Sequence, residues 1–230
     1  MRVDIISAVP QLLESPLNHS IIGNAVEKEQ VEIHVHNLRD YSEDKHKKVD
    51  DYPYGGGSGM VLTPQPIFSC IEELKEQREY DEIIFTAPDG VPFDQDVANE
   101  LSLKKNLVFL CGHYKGVDQR VRDTLITSEY SIGDYVLSGG ELPALVMVDA
   151  VVRLLPGVLG DVESALGDSF QDDLLDAPVY TRPAEFRDME VPEVLRSGDH
   201  RKVLEWRYEK SVERTRKLRP DIYKKFLKKH

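Results

Sequence analysis

Residues 131–160 read SIGDYVLSGGELPALVMVDAVVRLLPGVLG. A strand-like run, a glycine turn and a long apolar helix follow one another there without a break, which is the local order of a β-α unit with a binding loop mounted on a core element. Leu142, residues 144–148 and 150–152, Leu154 and Leu155 leave the helical part apolar on nearly every side. Such a helix is buried all round, by its own domain or by a second copy of the chain. Its charges, Glu141, Asp149 and Arg153, share one face. Asp149 and Arg153 have the i,i+4 spacing of a pair that contributes about 0.2–0.5 kcal/mol. Pro156 and Gly157 then stop the helix.

Outward from this unit, apolar runs of β character recur at 3–9, 31–35, 82–85, 106–111 and 130–137, separated by helix-length segments such as 64–76, 94–104 and 117–126. The alternation predicts an α/β fold, a mostly parallel sheet with helices on both faces. Two further glycine-dense islands interrupt it, DYPYGGGSGMVLTP at 51–64 and FLCGHYKGVDQRV at 109–121. Glycines gathered between hydrophobic runs let the chain turn with positive φ or bring backbone amides close to a ligand. The run GGGSGM at 55–60 is not a P-loop, because no Lys-Ser or Lys-Thr follows, and it lacks the context of a dinucleotide fingerprint. His34 and His36 alternate along one strand with no third ligand spaced to join them, so they read as a half-exposed strand face and not as a metal site. No nucleophile elbow is present either.

At 230 residues the chain has room for one large domain, or for a domain of about 150 residues and a smaller one. No apolar run approaches the roughly 18 residues that span a bilayer, and MRVDIISAVP places an acid inside a strand-like segment where a signal peptide would be apolar. Two cysteines, Cys70 and Cys111, without metal-ligand spacing agree with a reducing compartment, so the expected location is cytoplasmic. The net charge of -12 argues at first against a polyanionic partner. Residues 201–230, however, hold 12 Lys and Arg against 4 Asp and Glu, a local +8 that leaves -20 on the remainder. A basic tail on an acidic body can hold a polyanion locally. Between the two, residues 158–192 dissolve into small, acidic and proline-bearing sequence that reads as a long linker. Beyond it, two or three short helices are expected.

The motifs DYPYGGGSGMV, CGHYKGVDQRV, SIGDYVLSGGELPA, DAVVRLLPGVLG, GDSF, PVYTRP, VPEVLRSGDH, EWR and LRPD stand in one order along most of the chain. Together they closely resemble the bacterial tRNA (guanine-N1)-methyltransferases of the TrmD family. The resemblance implies a SPOUT-type parallel sheet with helices on both faces, a C-terminal trefoil knot that general topology rules would not suggest, and a small helical C-terminal domain. It implies S-adenosylmethionine as methyl donor and an obligate homodimer with shared active sites. The substrate would be tRNA, at the guanosine of position 37, 3′ of the anticodon. The corresponding division is a knotted cofactor-binding domain at 1–160, a linker carrying the catalytic acid at 161–176, and a basic tRNA-binding domain at 177–230.

Carried over residue by residue, the cofactor positions are Phe85, Thr86, Ala87 and Pro88; Gly112 and Tyr114; Ile132, Gly133, Asp134, Tyr135, Val136 and Leu137; and Gly139 and Gly140. Asp168 matches the family's general base for the N1 proton, and Arg153 the group that stabilises charge at O6. Ser164, Tyr180, Arg182, His200, Arg207 and Arg219 are the tRNA-contact candidates, with Trp206 read as core. Where the family commonly has GRYEG, this chain has GHYKG, placing His113 for an arginine and Lys115 for an acid connected with guanine recognition and magnesium. A role for magnesium is therefore left open. The alternatives are a related SPOUT enzyme that methylates a ribose hydroxyl and a catalytically silent tRNA-binding protein of the same fold.

Overall fold

The computed structural model describes residues 1–160 and 169–229, which fall in two compact units, Met1–Gly160 and Asp161–His230. The first unit runs β1 (Arg2–Ser7), α1 (Gln11–Leu17), α2 (Ser20–Glu27), β2 (Glu32–Asn37), a 3-10 turn (Leu38–Tyr41), β3 (Asp50–Asp51), β4 (Val61–Leu62) and α3 (Pro64–Gln77). It continues with β5 (Glu82–Pro92), α4 (Gln95–Ser102), β6 (Asn106–Cys111), α5 (Gln119–Thr124), β7 (Ser128–Ser131) and α6 (Glu141–Val152). Five of these strands form one sheet in the order β2-β1-β6-β5-β7, and every pairing is parallel.

A sheet covered on both sides must turn apolar residues to both faces, and these strands do so with a period of two. Val3, Ile5, Ile84, Leu107 and Phe109 enter a core closed by α1, α2, α4 and α6, whereas Ile6, Ile83, Phe85, Val108 and Leu110 enter a second closed by α3 and α5. Asp94 opens α4 by accepting a hydrogen bond from Val97 N at 3.2 Å, and Asp118 opens α5 by accepting from Arg120 N at 3.0 Å. Each cap satisfies a helix donor that would otherwise lack a partner.

One sequence expectation for this unit needs correction. The strand read at 130–137 ends at Ser131, and Val136 beyond it is 87% exposed. Among the described residues, β7 is an edge strand paired only with β5, whose register shifts between Thr86 and Val91, and Gly133 at φ +145° turns the chain away from the ladder. On α6, read as buried all round by its own domain or by a second copy, Leu142 and Val146, one turn apart, are 55% and 50% exposed, so its own domain does not cover that face.

The second unit contains structure within the stretch read as linker. β8 (Glu185–Phe186) and β9 (Met189–Glu190) form an antiparallel hairpin whose turn residues, Arg187 and Asp188, both have positive φ, at 53° and 61°. That conformation belongs to tight hairpin turns usually marked by Asn-Gly or Asp-Gly, so its sequence gave no signal. Helices α7 (Glu193–Arg196), α8 (His200–Leu218) and α9 (Pro220–Lys229) follow. With 19 residues, α8 is not short, and Thr215 alone on it is buried, its Oγ1 accepting from Leu175 N at 2.8 Å.

Candidate functional site

Ligands in open α/β sheets sit beyond the carboxyl ends of the strands. Here the neighbouring strands β6, β5 and β7 release three loops at that end, and the loops enclose one cleft. Phe85, Thr86, Ala87 and Pro88 line it from β5, Gly112 and Tyr114 from β6, and Ile132, Gly133, Tyr135, Val136, Leu137, Gly139 and Gly140 from the β7–α6 loop. Of the candidate cofactor positions, Asp134 alone lies off the lining. His113, Lys115, Gly116, Tyr130, Ser131, Ser138 and Pro143 also line the cleft. They went unselected because they interleave with the chosen positions and carry no separate motif.

The loops are held together at their glycines. Gly140 N donates to Gly112 O at 2.7 Å, and Thr86 Oγ1 donates to Gly140 O at 3.3 Å. A Cβ on Gly140 would lie 2.2 Å from Thr86 Oγ1, 2.6 Å from Gly112 N and 2.9 Å from Cys111 Cα. Only glycine permits this approach. The Arg122 guanidinium sits over the Phe85 ring at 5.4 Å and donates to Glu129 Oε1 and Asp89 Oδ2, each at 2.8 Å. These two bonds hold Arg122 charged and tie down the excursion between Thr86 and Val91. Meanwhile Tyr114, Tyr135, Val136 and Leu137 leave apolar surface open around the cleft, a composition that suits a ligand with an apolar ring system.

Charge is distributed unevenly around the cleft. Glu141, 1% exposed at the start of α6, accepts from Ser7 Oγ at 2.7 Å, and its second oxygen stands 3.8 Å from His113 Nδ1. Lys115 is exposed on the lining, its backbone N–H donates to Met60 O at 2.9 Å, and no acidic side chain among the described residues pairs with it. Among those residues, no group of three or more His, Cys, Asp and Glu is placed to hold a metal ion. No described helix is long and apolar enough to cross a membrane.

The other candidates belong to the far end of α6, to residues outside those described, or to the second unit. Arg153 caps the C-terminal end of α6, and a helix of 12 residues places it about 18 Å along the axis from Gly140. Asp168 and Ser164 lie outside the described residues. In the second unit, Tyr180 is half-exposed with its ring 6.4 Å from that of Trp206, and Arg182 is exposed. His200 and Arg207 are exposed on α8, seven residues apart and so on one face. Arg219 donates to both carboxylate oxygens of Asp221, at 3.1 and 2.8 Å, with its guanidinium 6.0 Å from the Phe170 ring.

Residues 1–225 match the family model described as tRNA (Guanine-1)-methyltransferase TrmD. Similar curated proteins include one from Bacteroides fragilis, 60% identical over 222 residues covering 96% of this chain and 99% of the relative. One from Porphyromonas gingivalis is 60% identical over 224 residues, covering 97% and 100%, and one from Chlorobaculum tepidum is 59% identical over 222 residues, covering 96% of each. All three bear the name tRNA (guanine-N(1)-)-methyltransferase.

Proposed function

This chain belongs to the TrmD family of tRNA (guanine-1)-methyltransferases, and from that premise we propose that the cleft beyond β6, β5 and β7 binds S-adenosylmethionine and serves a guanosine at tRNA position 37. The enzyme methylates N1 of guanine in tRNA; the ribose-methylating and silent-binder alternatives find no support among the relatives. The observation that carries the cofactor assignment is the contact of Gly140 with Gly112 and Thr86, which brings three loop backbones around one apolar cleft. Such a cradle fits an adenine ring, with backbone groups of residues 85–88, 112 and 132–140 reading its edge. The same close passage of the β7–α6 loop beside Gly112 supports a trefoil knot in this region.

When bound, S-adenosylmethionine supplies an electrophilic methyl group. Guanine N1 carries a proton at neutral pH, so a base must remove it and a cation must meet the negative charge growing at O6. Asp168 takes the first role and Arg153 the second. The base needs its pKa raised toward neutrality, which burial against the bound substrate would provide. Because Arg153 lies a helix length from the cleft of its own chain, a homodimer completes the site, and the exposed Leu142 and Val146 on α6 supply an apolar face for it. The basic second unit, with Tyr180, Arg182, His200, Arg207 and Arg219, grips the tRNA together with Ser164. Lys115 cannot coordinate magnesium, so any magnesium is engaged by Asp168 or by the tRNA. Cytoplasmic location follows from the substrate.

The test is incubation with S-adenosylmethionine and paired tRNA transcripts carrying G or A at position 37, followed by nucleoside mass spectrometry. 1-Methylguanosine from the G transcript alone is expected. Equal product from both transcripts would move the site elsewhere in the tRNA.

A further inference from the structure

Glu141 is almost fully buried, yet among the described residues only one of its carboxylate oxygens receives a hydrogen bond, from Ser7 Oγ at 2.7 Å. Its Oε2 is buried without a hydrogen-bond partner among the described residues, and so is His113 Nδ1, 3.8 Å away. A carboxylate taken out of water requires a compensating donor or cation. Among the described residues, His113 is the basic side chain paired with it. Gly139 keeps the approach open, since a Cβ there would stand 2.4 Å from Glu141 Oε2 and 2.7 Å from His113 Nδ1.

The opposite edge of the imidazole has another outlet. His113 lines the cleft, its side chain is 21% exposed, and the Tyr114 ring meets it edge-on at 4.8 Å. Burial and the nearby Glu141 push the Cys111 thiol up, so that thiol adds no charge. Glu141 faces the ring at Nδ1, and a second carboxylate arriving in the cleft would set the imidazole between two acceptors, with a donor available to each from its two nitrogens. Lys115 adds a positive charge to the same loop. Of the charged groups on S-adenosylmethionine, the sulfonium and ammonium are repelled by such a wall, and the α-carboxylate is attracted.

We propose that His113 holds the α-carboxylate of S-adenosylmethionine through a charge-assisted hydrogen bond, with Glu141 as the positioning residue behind the ring. The inference rests on the cofactor reading of the cleft. Calorimetric titration separates the two, using S-adenosylhomocysteine and S-adenosyl-3-thiopropylamine, the same thioether without its carboxylate. His113→Gln should weaken S-adenosylhomocysteine about tenfold and leave the decarboxylated ligand unchanged, whereas His113→Arg, which supplies a cation, should retain the wild-type preference. Glu141→Gln should resemble His113→Gln. Equal weakening of both ligands by His113→Gln, or no weakening of either, overturns the carboxylate contact. A wild-type protein that takes neither ligand overturns the cofactor reading, and this inference with it.

Discussion

At Gly140, the absence of one atom decides whether the cleft closes. Its φ of -84° is ordinary, so alanine there would suffer no backbone strain. The obstacle is instead the Gly112 amide and the Cys111 Cα, which lie within 3 Å of the missing Cβ and are backbone atoms of the central strand and its loop. Thr86 Oγ1 could rotate aside, but the backbone of β6 cannot. Gly140→Ala should therefore push the β7–α6 loop outward and cost about 1–3 kcal/mol of stability, as overpacking does. S-adenosylhomocysteine affinity should fall at least about tenfold. Calorimetric titration beside a denaturant melt checks both, and unchanged affinity would mean that this contact does not shape the site. Much at this scale could be read from the chain, because clustered glycines advertise close approach. Glu141 could not: an acid at a helix start looks like a dipole partner, and only the fold reveals that Ser7, 134 residues away, and His113 enclose it.

Among the elements, the junction of β1 with the edge strand β2 depends on a buried charge. Asp4, 0% exposed, accepts from Arg2 Nε at 2.7 Å, His36 Nε2 at 2.7 Å and Tyr80 Oη at 2.8 Å. Burial alone would raise its pKa, but the hydrogen bonds from His36, Arg2 and Tyr80 win and hold the carboxyl well below the usual range. A carboxylate whose folded pKa is depressed contributes stability that is fully present above its unfolded value, about 3.9, and is lost as pH falls from there through the folded value. Asp4→Asn should thus destabilise the protein by about 3 kcal/mol near neutrality, a penalty that shrinks below about pH 4. Urea unfolding across pH measures it, and a penalty that stays constant with pH would remove the charge from the explanation. The strand alternation in β1, β5 and β6 was legible because both faces are apolar and the period is two. The end of β7 was not, since Tyr135, Val136 and Leu137 have strand-like composition but surround the cleft instead of entering the core. The hairpin at Arg187 and Asp188 was hidden for the opposite reason, having a turn geometry without the usual turn residues.

For the molecule as a whole, the placement of Arg153 makes a claim about assembly. The cleft opens at the N-terminal end of α6 and Arg153 closes the C-terminal end, so the two stand about 18 Å apart along one helix. That separation was legible in the chain, since Gly140 and Arg153 bracket one helix-length apolar run; which chain's cleft Arg153 serves was not. If a second chain packs on the Leu142 and Val146 face and supplies its own Arg153, the defect of one subunit can be covered by the other. Gly140→Ala spoils a cleft and Arg153→Ala spoils a cation, and each variant alone should be nearly inactive in methyl transfer. When the two are mixed and allowed to exchange subunits, half of the dimers are mixed, and each of these carries one site with both groups intact if Arg153 acts across the interface. Activity should then return to about a quarter of the wild-type rate. If Arg153 serves the cleft of its own chain, every site in a mixed dimer remains defective and mixing restores nothing. Rate measurements on the mixture against each parent variant therefore decide the arrangement, and a Val146→Asp substitution should abolish the recovery by preventing exchange into dimers, as sedimentation would report directly.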